Sequence, residues 1–542
     1  MLPRAWKIEH KNPENVITCL LESRGIKHPK AFFNPPHPST FSLKKVGISE
    51  QAIGQFKKRI RIALKKKEVV VIYGDYDVDG VCSTALMWQT LSRLGLIVYP
   101  FVPDRFDEGY GMSAKGIDKI KEKHKTVSLI ITVDNGIVAN TAISYAKEHG
   151  IDVVVTDHHE KAGKNNADIV IHTTKMCGTA VAWYVSNALL PKSDREYIDE
   201  ALDLVGIATI ADQMKLVGIN RSLAMHGINA VRRSKRIGLR MLSESSAIVL
   251  SQVGAYEIGF VLGPRMNAAG RLAHALEVVR LLCTNQKGRA LEIAHMLSEL
   301  NTKRQSVTTE VIDLARTQVV ESQKISIIQG NFHEGVIGLA AGRLVEETGR
   351  PSIVFAVGEA HAKGSARSIP GFHITEALRQ FEPLLLSVGG HEMAAGLSVS
   401  VSQLPEFIKA FSAYVEKTIE IADLHAKELP IDCELPFQLI TPELVTALSQ
   451  MEPFGSGNPK PVFMTAKVEV LAVKPLGKAA AHVKVLLDQD GDRFEGLIFR
   501  IEQFESKPKV GSVLDVVYSI DQNTWNGTTK TELLIKDFKT HE

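Results

Sequence analysis

Three apolar runs punctuate the first third of the chain: EVVVIYGD (68–75), SLIITVDNG (128–136) and IDVVVTDHH (151–159). They are hydrophobic without alternation, the pattern of strands covered on both faces of a parallel sheet. STALMWQTLSRLG and NTAISYAKEHG, which lie between them, have helical spacing. This β–α alternation predicts an α/β, doubly wound parallel sheet. A further apolar run, LVGIATIADQM, reads as a fourth strand delivering Asp212 near its end.

The pattern divides the rest of the chain. Residues 1–50 read as a helical lead-in (ENVITCLLESRGI), followed by a proline-rich loop, NPPHPSTF. Residues 51–230 hold the parallel-sheet domain, and 231–322 a helical connector. Residues 323–425 form a second, smaller α/β domain (KISIIQG, IGLAAGRLVEETG, PSIVFAV). From 440 to 542, KVEVLAVKPLG, AHVKVLLDQDGDRFEGLIFR and the segment to Lys539 alternate apolar and polar positions between turn signals. That pattern predicts a small antiparallel barrel of OB type. A length of 542 residues requires several cores.

Composition adds little. The hydrophobic share is 44%, the charged share 23% and the net charge +3, so any basic surface must be local. The run Lys57, Lys58, Arg59, Arg61, Lys65–Lys67 fits a solvated helix face better than a phosphate contact. Five scattered cysteines without a CxxC pair point to reduced thiols in a cytoplasmic protein and away from zinc. No run has the ~18 apolar residues of a membrane span, and the N-terminus lacks the apolar stretch of a signal peptide.

The acids carry the chemistry. Asp75, Asp134 and Asp157 end the three predicted strands, where open α/β sheets gather their ligands. GDYDVDG adds Asp77 and Asp79, which an extended backbone would point the same way as Asp75, with Gly80 allowing a turn beneath them. Carboxylates this close raise one another's pKa unless a cation lies among them. Oxygen donors with an imidazole, here His158 or His159, suit Mg2+ or Mn2+. Two such ions ~3.5–4 Å apart activate water and hold phosphate oxygens. Taken alone, DxDxDG also fits a turn or a calcium loop, and HH fits a pair of capping histidines.

The ordered set GDYDVDG, TVDNGI, TDHHE and IATIADQMKLVGINR resembles the DHH phosphoesterase superfamily. The later motifs LGPRMNAAGRL, LNTKRQ, HEGVIGLAAGRLVE, GSARSIPGFHI, GGHEMAAGLSV and PFGSGNPKPVF make the chain similar to the RecJ single-strand-specific exonucleases over nearly its whole length. The resemblance implies a DHH catalytic domain, a DHH-associated domain and a C-terminal OB domain. It also implies 5′-to-3′ hydrolysis of single-stranded DNA with two divalent cations (Mn2+ or Mg2+), in DNA repair and recombination. By motif, Asp75, Asp77, Asp79, Asp134, His158 and Asp212 would bind metal, with Asp134 bridging. His159 would lie by the second metal or the scissile phosphate, and Asp157 would orient an imidazole. Ser365, Arg367 and Ser368 would form a 5′-phosphate pocket, with Gly389, Gly390 and His391 approaching phosphate. Arg265, Asn267 and Arg271 would contact the strand.

In the barrel, Lys474, Lys478, Lys484, Phe499, Arg500 and Trp525 are candidates for gripping and stacking bases, although Phe499 equally fits barrel core. The expected partners are single-stranded DNA, a single-strand-binding protein and a helicase, with no membrane and a monomeric state. Two departures from the family stand out. AHA follows AAGRL where the family has a small residue and an acid, and the loop between DHHE and MCGTAVAW is short. Three rivals remain: a phosphodiesterase for oligonucleotides or cyclic dinucleotides, a silent DHH scaffold, and a haloacid-dehalogenase-type phosphatase. The first needs no OB domain, the second would have lost ligands, and the third needs no HH pair.

Overall fold

The computed structural model describes residues 5–541 except 12, 162, 421–427, 478–479, 505 and 526–527. The chain forms two compact units, residues 28–304 with 451–459, and residues 1–27 with 305–450 and 460–542. Strand β1 (Ala5–His10) opens the second of these.

The unit spanning 28–304 is built on a five-stranded, all-parallel sheet: β2 (Val69–Tyr73), β3 (Ile97–Phe101), β4 (Val127–Val133), β5 (Asp152–Asp157) and β6 (Ile169–His172). The order is β3-β2-β4-β5-β6, with β2 pairing to β3 on one side and β4 on the other. Successive residues enter opposite cores: Val70 and Ile72 one, Val71 and Tyr73 the other. This two-sided burial explains the unbroken apolar runs. Helices Val78–Arg93, Gly178–Leu189 and Leu202–Ala211 pack together on one face.

The run before Asp212 is therefore a helix, not a strand. Leu202 through Thr209 are all buried, so the segment shows no polar face and carries no 3.6-residue signal. Strands β3 and β6 are short and do not stand out in the sequence. Residues 237–318 are largely helical (Ile237–Ser245, Gly263–Leu272, Leu276–Cys283, Lys287–Gln318).

The other unit contains two sheets. β7 (Ser326–Gly330), β8 (Ser352–Val357), β9 (His361–Arg367), β10 (Ser387–His391) and β11 (Ala394–Ser400) form a mixed sheet of order β10-β11-β9-β8-β7. β12 (Glu428–Glu434), β13 (Phe463–Leu476), β14 (His482–Gln489), β15 (Asp492–Ile498), β16 (Val513–Trp525) and β17 (Thr528–Thr540) join β1 in the last sheet. Pairing of β13 with both β14 and β16 closes a five-stranded barrel, β13-β14-β15-β17-β16. This is the closed β-architecture that the alternating pattern predicts. The lead-in departs from a purely helical reading. Val16–Ser23 is a helix, but Ala5–His10 is a strand in parallel register with Glu428–Cys433, and Trp6 Nε1 donates to Asp537 Oδ2 at 2.8 Å. Among the described residues, no helix is long and apolar enough to cross a membrane.

Candidate metal centre

Three loops at the carboxyl ends of β2, β4 and β5 bring acids to one place. After β2, Asp75 is 2% exposed. Asp77 caps helix Val78–Arg93, its Oδ1 accepting from Gly80 N at 2.9 Å, and Asp79 lies in the first turn of that helix. The three acids thus converge through a helix start, not through extended alternation. Gly80 is needed for close approach, because a Cβ there would lie 2.5 Å from Asp75 O. Asn267 Oδ1 accepts from Val78 N at 3.1 Å, so the helix Gly263–Leu272 anchors the acidic loop. Gly270 lets the two approach, since its Cβ would meet Tyr76 O at 2.5 Å.

Asp79 is held by another helix start. Its oxygens accept from Gly178 N (2.6 Å), Thr179 N (2.7 Å) and Thr179 Oγ1 (2.6 Å). The positive end of helix Gly178–Leu189 thereby faces the cluster and offsets part of its charge. Gly178 has no room for a side chain, because a Cβ would lie 2.5 Å from Asp134 Oδ1. Sequence reasoning missed Gly178 and Thr179. The available signal was Gly-Thr opening an apolar run in MCGTAVAW.

Asp134 follows β4 in left-handed backbone (φ 62°), its N–H donating to Thr156 O at 3.0 Å. His158 Nε2 lies 3.1 Å from Asp134 Oδ1, 3.6 Å from Asp79 Oδ2 and 3.8 Å from Asp212 Oδ2. Three sets of ligand atoms are each mutually within 4.8 Å: Asp134, His158 and His159; Asp79, His158 and Asp212; and Asp75, Asp77 and Asp134. Asp157 is in none of them. Its Oδ1 accepts from His158 N (2.7 Å) and lies 2.8 Å from His159 Nδ1, and its Oδ2 accepts from Ile137 N at 2.9 Å.

Electrostatics fits a cation-binding set. Burial, then the Asp77 charge, raises Asp75 well above the carboxylate range. Burial, then Asp79, does the same to Asp134. Asp77 is also raised, and Asp212 is pushed up to about 8, by burial and then by Asp79. Burial lowers His158. Burial alone would lower His159, but its hydrogen bond to Asp157 and the charge of that carboxylate carry it up to about 9. The same pairing holds Asp157 below its ordinary value in spite of burial. Asp75 Oδ1 and Asp134 Oδ1 are buried without a hydrogen-bond partner. Orphaned carboxylate oxygens among mutually repelling acids are ready ligands for a hard divalent cation.

The candidate phosphate contacts belong to different elements of the chain. In the mixed sheet, Arg367 and His391 flank Ala394 across three strands, and Ser365 and Gly389 flank Gly396. Arg367 Nη1 donates to Ser365 Oγ at 3.2 Å. Helix Ile337–Thr348 starts beside them, and a Cβ on Gly338 would lie 3.0 Å from Ser365 Oγ and 3.1 Å from Arg367 Nη2. A guanidinium, a hydroxyl and a helix N-terminus make an anion-binding set. Ser368 is buried, and its hydroxyl donates to Phe372 O. Gly390 (φ 150°) is required by the hairpin itself, since a Cβ would meet Ala394 O at 2.3 Å. Arg265 donates to Val261 O, and burial lowers its pKa. Arg271 lies in the last turn of the helix that carries Asn267.

In the barrel, Lys484 is paired with Glu495 (2.7 Å) and Glu532 (3.4 Å), so its charge is already answered. Lys474 and Arg500 are exposed. Phe499 is not core: it is 55% exposed, edge-on to His482. Lys478 and the Trp525 side chain lie outside the described residues. The basic run on helix Glu50–Lys66 is partly structural, Arg59 pairing with Glu68 (2.6 Å) and Asp152 (2.7 Å).

A parallel sheet that delivers aspartates and a histidine pair to one end is the centre of a DHH-type phosphoesterase, and residues 69–209 match the model of the DHH family N-terminal domain. Residues 318–417 match the DHHA1 domain and 431–537 the RecJ OB domain. The chain belongs to the RecJ family. It is 34% identical to the single-stranded-DNA-specific exonuclease RecJ of Bacillus subtilis (strain 168) over 93% of its own length, and spans 64% of that relative. It is 32% identical to the RecJ exonuclease of Salmonella typhimurium, covering 88% of each chain. The crystal structure of RecJ from Thermus thermophilus in complex with Mn2+ superposes with a TM-score of 0.83 at 27% identity, covering 99% of this chain and 80% of that one. The same protein has also been solved with Mg2+.

Proposed function

We propose that this chain is a Mn2+- or Mg2+-dependent exonuclease that hydrolyses single-stranded DNA from its 5′ end, in DNA repair and recombination. One observation carries the reading: in a RecJ-family chain, Asp75, Asp77, Asp79, Asp134 and Asp212 lie with His158 in overlapping ligand sets, among them two buried carboxylate oxygens that have no hydrogen-bond partner. Asp79, His158 and Asp212 would hold one cation and Asp75 and Asp77 the other, with Asp134 shared. When bound, such ions generate hydroxide from water near neutral pH and stabilise charge on the phosphate.

The protein's own groups supply the rest. Gly178 and Thr179 fix Asp79, and Asn267 fixes the Asp75–Asp79 loop. Asp157 orients His159, which would meet a phosphate oxygen of the substrate. Ser365, Arg367 and the start of helix Ile337–Thr348 take a strand phosphate, and Gly389 and His391 border that floor. Arg265 and Arg271 add positive charge along the strand. Phe499, Trp525 and the exposed barrel cations hold the strand further along. A helicase and a single-strand-binding protein are fitting partners, because they produce and present single strands. A cytoplasmic monomer is the fitting state for this work.

Digestion of 3′-labelled single-stranded, duplex and RNA substrates, with and without chelator, tests the reading. Progressive, chelator-sensitive shortening of the DNA single strand from its 5′ end is expected. Loss of the 3′ label first, or cleavage that survives chelation, would overturn it.

A further inference from the structure

We infer that Tyr110 is a positioning residue of the reaction centre, whose hydroxyl holds His159 for the substrate and away from the cations. The inference rests on the reading of His159 given above. The Tyr110 hydroxyl lies 3.0 Å from His159 Nε2, and the rings meet edge-on at 6.1 Å. The other ring nitrogen, Nδ1, is 2.8 Å from Asp157 Oδ1, and an ionised carboxylate only accepts, so Nδ1 carries a proton. The hydroxyl can serve either form of the ring: it accepts from Nε2–H of the imidazolium and donates to the Nε2 lone pair of the neutral imidazole, so the 3.0 Å contact holds the ring in both. The imidazole is tied at both ends, and its backbone is fixed as well, because His172 Nε2 lies 2.6 Å from His159 O.

The bond matters because His159 stands close enough to Asp134 and His158 to join a cation site. A neutral imidazole lone pair is a metal ligand unless something else takes it. Tyr110 takes it. The second histidine is thereby kept out of the coordination shell.

The turn that presents Tyr110 is built for that purpose. Gly109 (φ 83°) and Gly111 (φ 69°) flank it, both in the left-handed region where a side chain is strained. Gly111 O accepts from the Tyr73 hydroxyl at 3.1 Å, which ties the turn to the end of β2. The Tyr110 ring meets Tyr76 edge-on at 6.1 Å, and Arg105 lies over Tyr76 at 5.1 Å. Asp104 Oδ1 accepts from Phe106 N and Asp107 N, closing the near end. Tyr110 is nevertheless 55% exposed, so its hydroxyl can turn toward an arriving phosphate oxygen without repacking a core.

The test is Tyr110→Phe in the full chain, which keeps the ring and removes the bond. Two readouts are taken. In metal-free protein with 15N-labelled histidine, the His159 Nε2 resonance, assigned by its loss in His159→Gln, reports its hydrogen bond directly. It is expected to shift away from its hydrogen-bonded position in Y110F while the melting temperature stays at the wild-type value. In single-strand digestion, kcat is expected to fall about 10- to 100-fold with KM within about twofold, as for a displaced catalytic group. An unmoved Nε2 resonance overturns the inference whatever the activity, and so does an unchanged kcat with the resonance moved. Should the wild-type chain fail to cleave single strands, the functional reading falls, while the resonance still decides whether Tyr110 holds His159.

Discussion

Gly178→Ala is the most economical test of the centre, because the added methyl reaches neither solvent nor a flexible neighbour. A Cβ at position 178 would lie 2.5 Å from Asp134 Oδ1, 2.7 Å from its Cβ and 2.8 Å from its Cγ, whereas ordinary contact begins at 3.4 Å. Something must move by about 0.9 Å. Asp134 cannot withdraw freely, since its backbone is left-handed and its N–H is bonded to Thr156 O. The helix start cannot withdraw without lengthening the 2.6 Å bond from Gly178 N to Asp79 Oδ2. Either route displaces a proposed ligand by close to 1 Å, and such a misplacement costs on the order of 100-fold in rate. Overpacking itself costs about 1–3 kcal/mol. The assay is Mn2+-dependent release of nucleotides from a labelled single strand, with Mn2+ titration and thermal melting alongside. The expected result is a kcat reduced ~100-fold, a weakened Mn2+ dependence and a modest fall in melting temperature. Activity within threefold of wild type at the same Mn2+ concentration would refute the placement of Asp134 and Asp79 in one centre.

Asp134→Asn, which tolerates the left-handed backbone, should abolish turnover while leaving far-UV circular dichroism unchanged; residual activity above a few per cent would remove the bridging role. In chelator, stability should fall as pH rises from about 4 to 8. Asp212 sits near 8 folded against 3.8 unfolded, so its contribution is full below 3.8 and lost on approach to 8, and His159 near 9 against 6.5 acts in the same direction. Mn2+ should reverse this trend, binding more tightly at pH 8 than at pH 6 as protons are released; melting curves with and without metal decide. Phe499→Ala should weaken binding of a long single strand by about 1–3 kcal/mol with little change for a dinucleotide, measured by anisotropy. Arg221→Met should destabilise the catalytic unit by ~3 kcal/mol or more, because this 1%-exposed guanidinium donates to Phe32 O, Met451 O and Glu452 O; denaturant melts and proteolysis near 451–459 would show it.

What could be read beforehand followed from periodicity and from clustered chemistry. Runs buried on both faces announce parallel strands, and acids at their ends announce a pocket, so β2, β4, β5 and their aspartates were legible. The helix before Asp212 was not, because a helix buried all round has no polar face to mark its period. Asp79 was legible as an acid but not as a helix-held one, since its partners Gly178 and Thr179 are about 100 positions away. Tyr110 escaped for the same reason: its significance is a hydroxyl meeting an imidazole 49 residues on. Phe499 could not be assigned from alternation alone, because it lies one residue beyond the end of β15.

Strand β1 has a consequence for biosynthesis. Its backbone partners are Glu428 to Cys433, so this strand leaves the ribosome about 420 residues ahead of its neighbour. At about 5–20 residues per second, translation must run for roughly 20–80 s before that ladder can close. Until then the six-residue strand has no partner for its backbone groups, so the unit that carries the barrel closes its N-terminal strand only after most of the chain has been made.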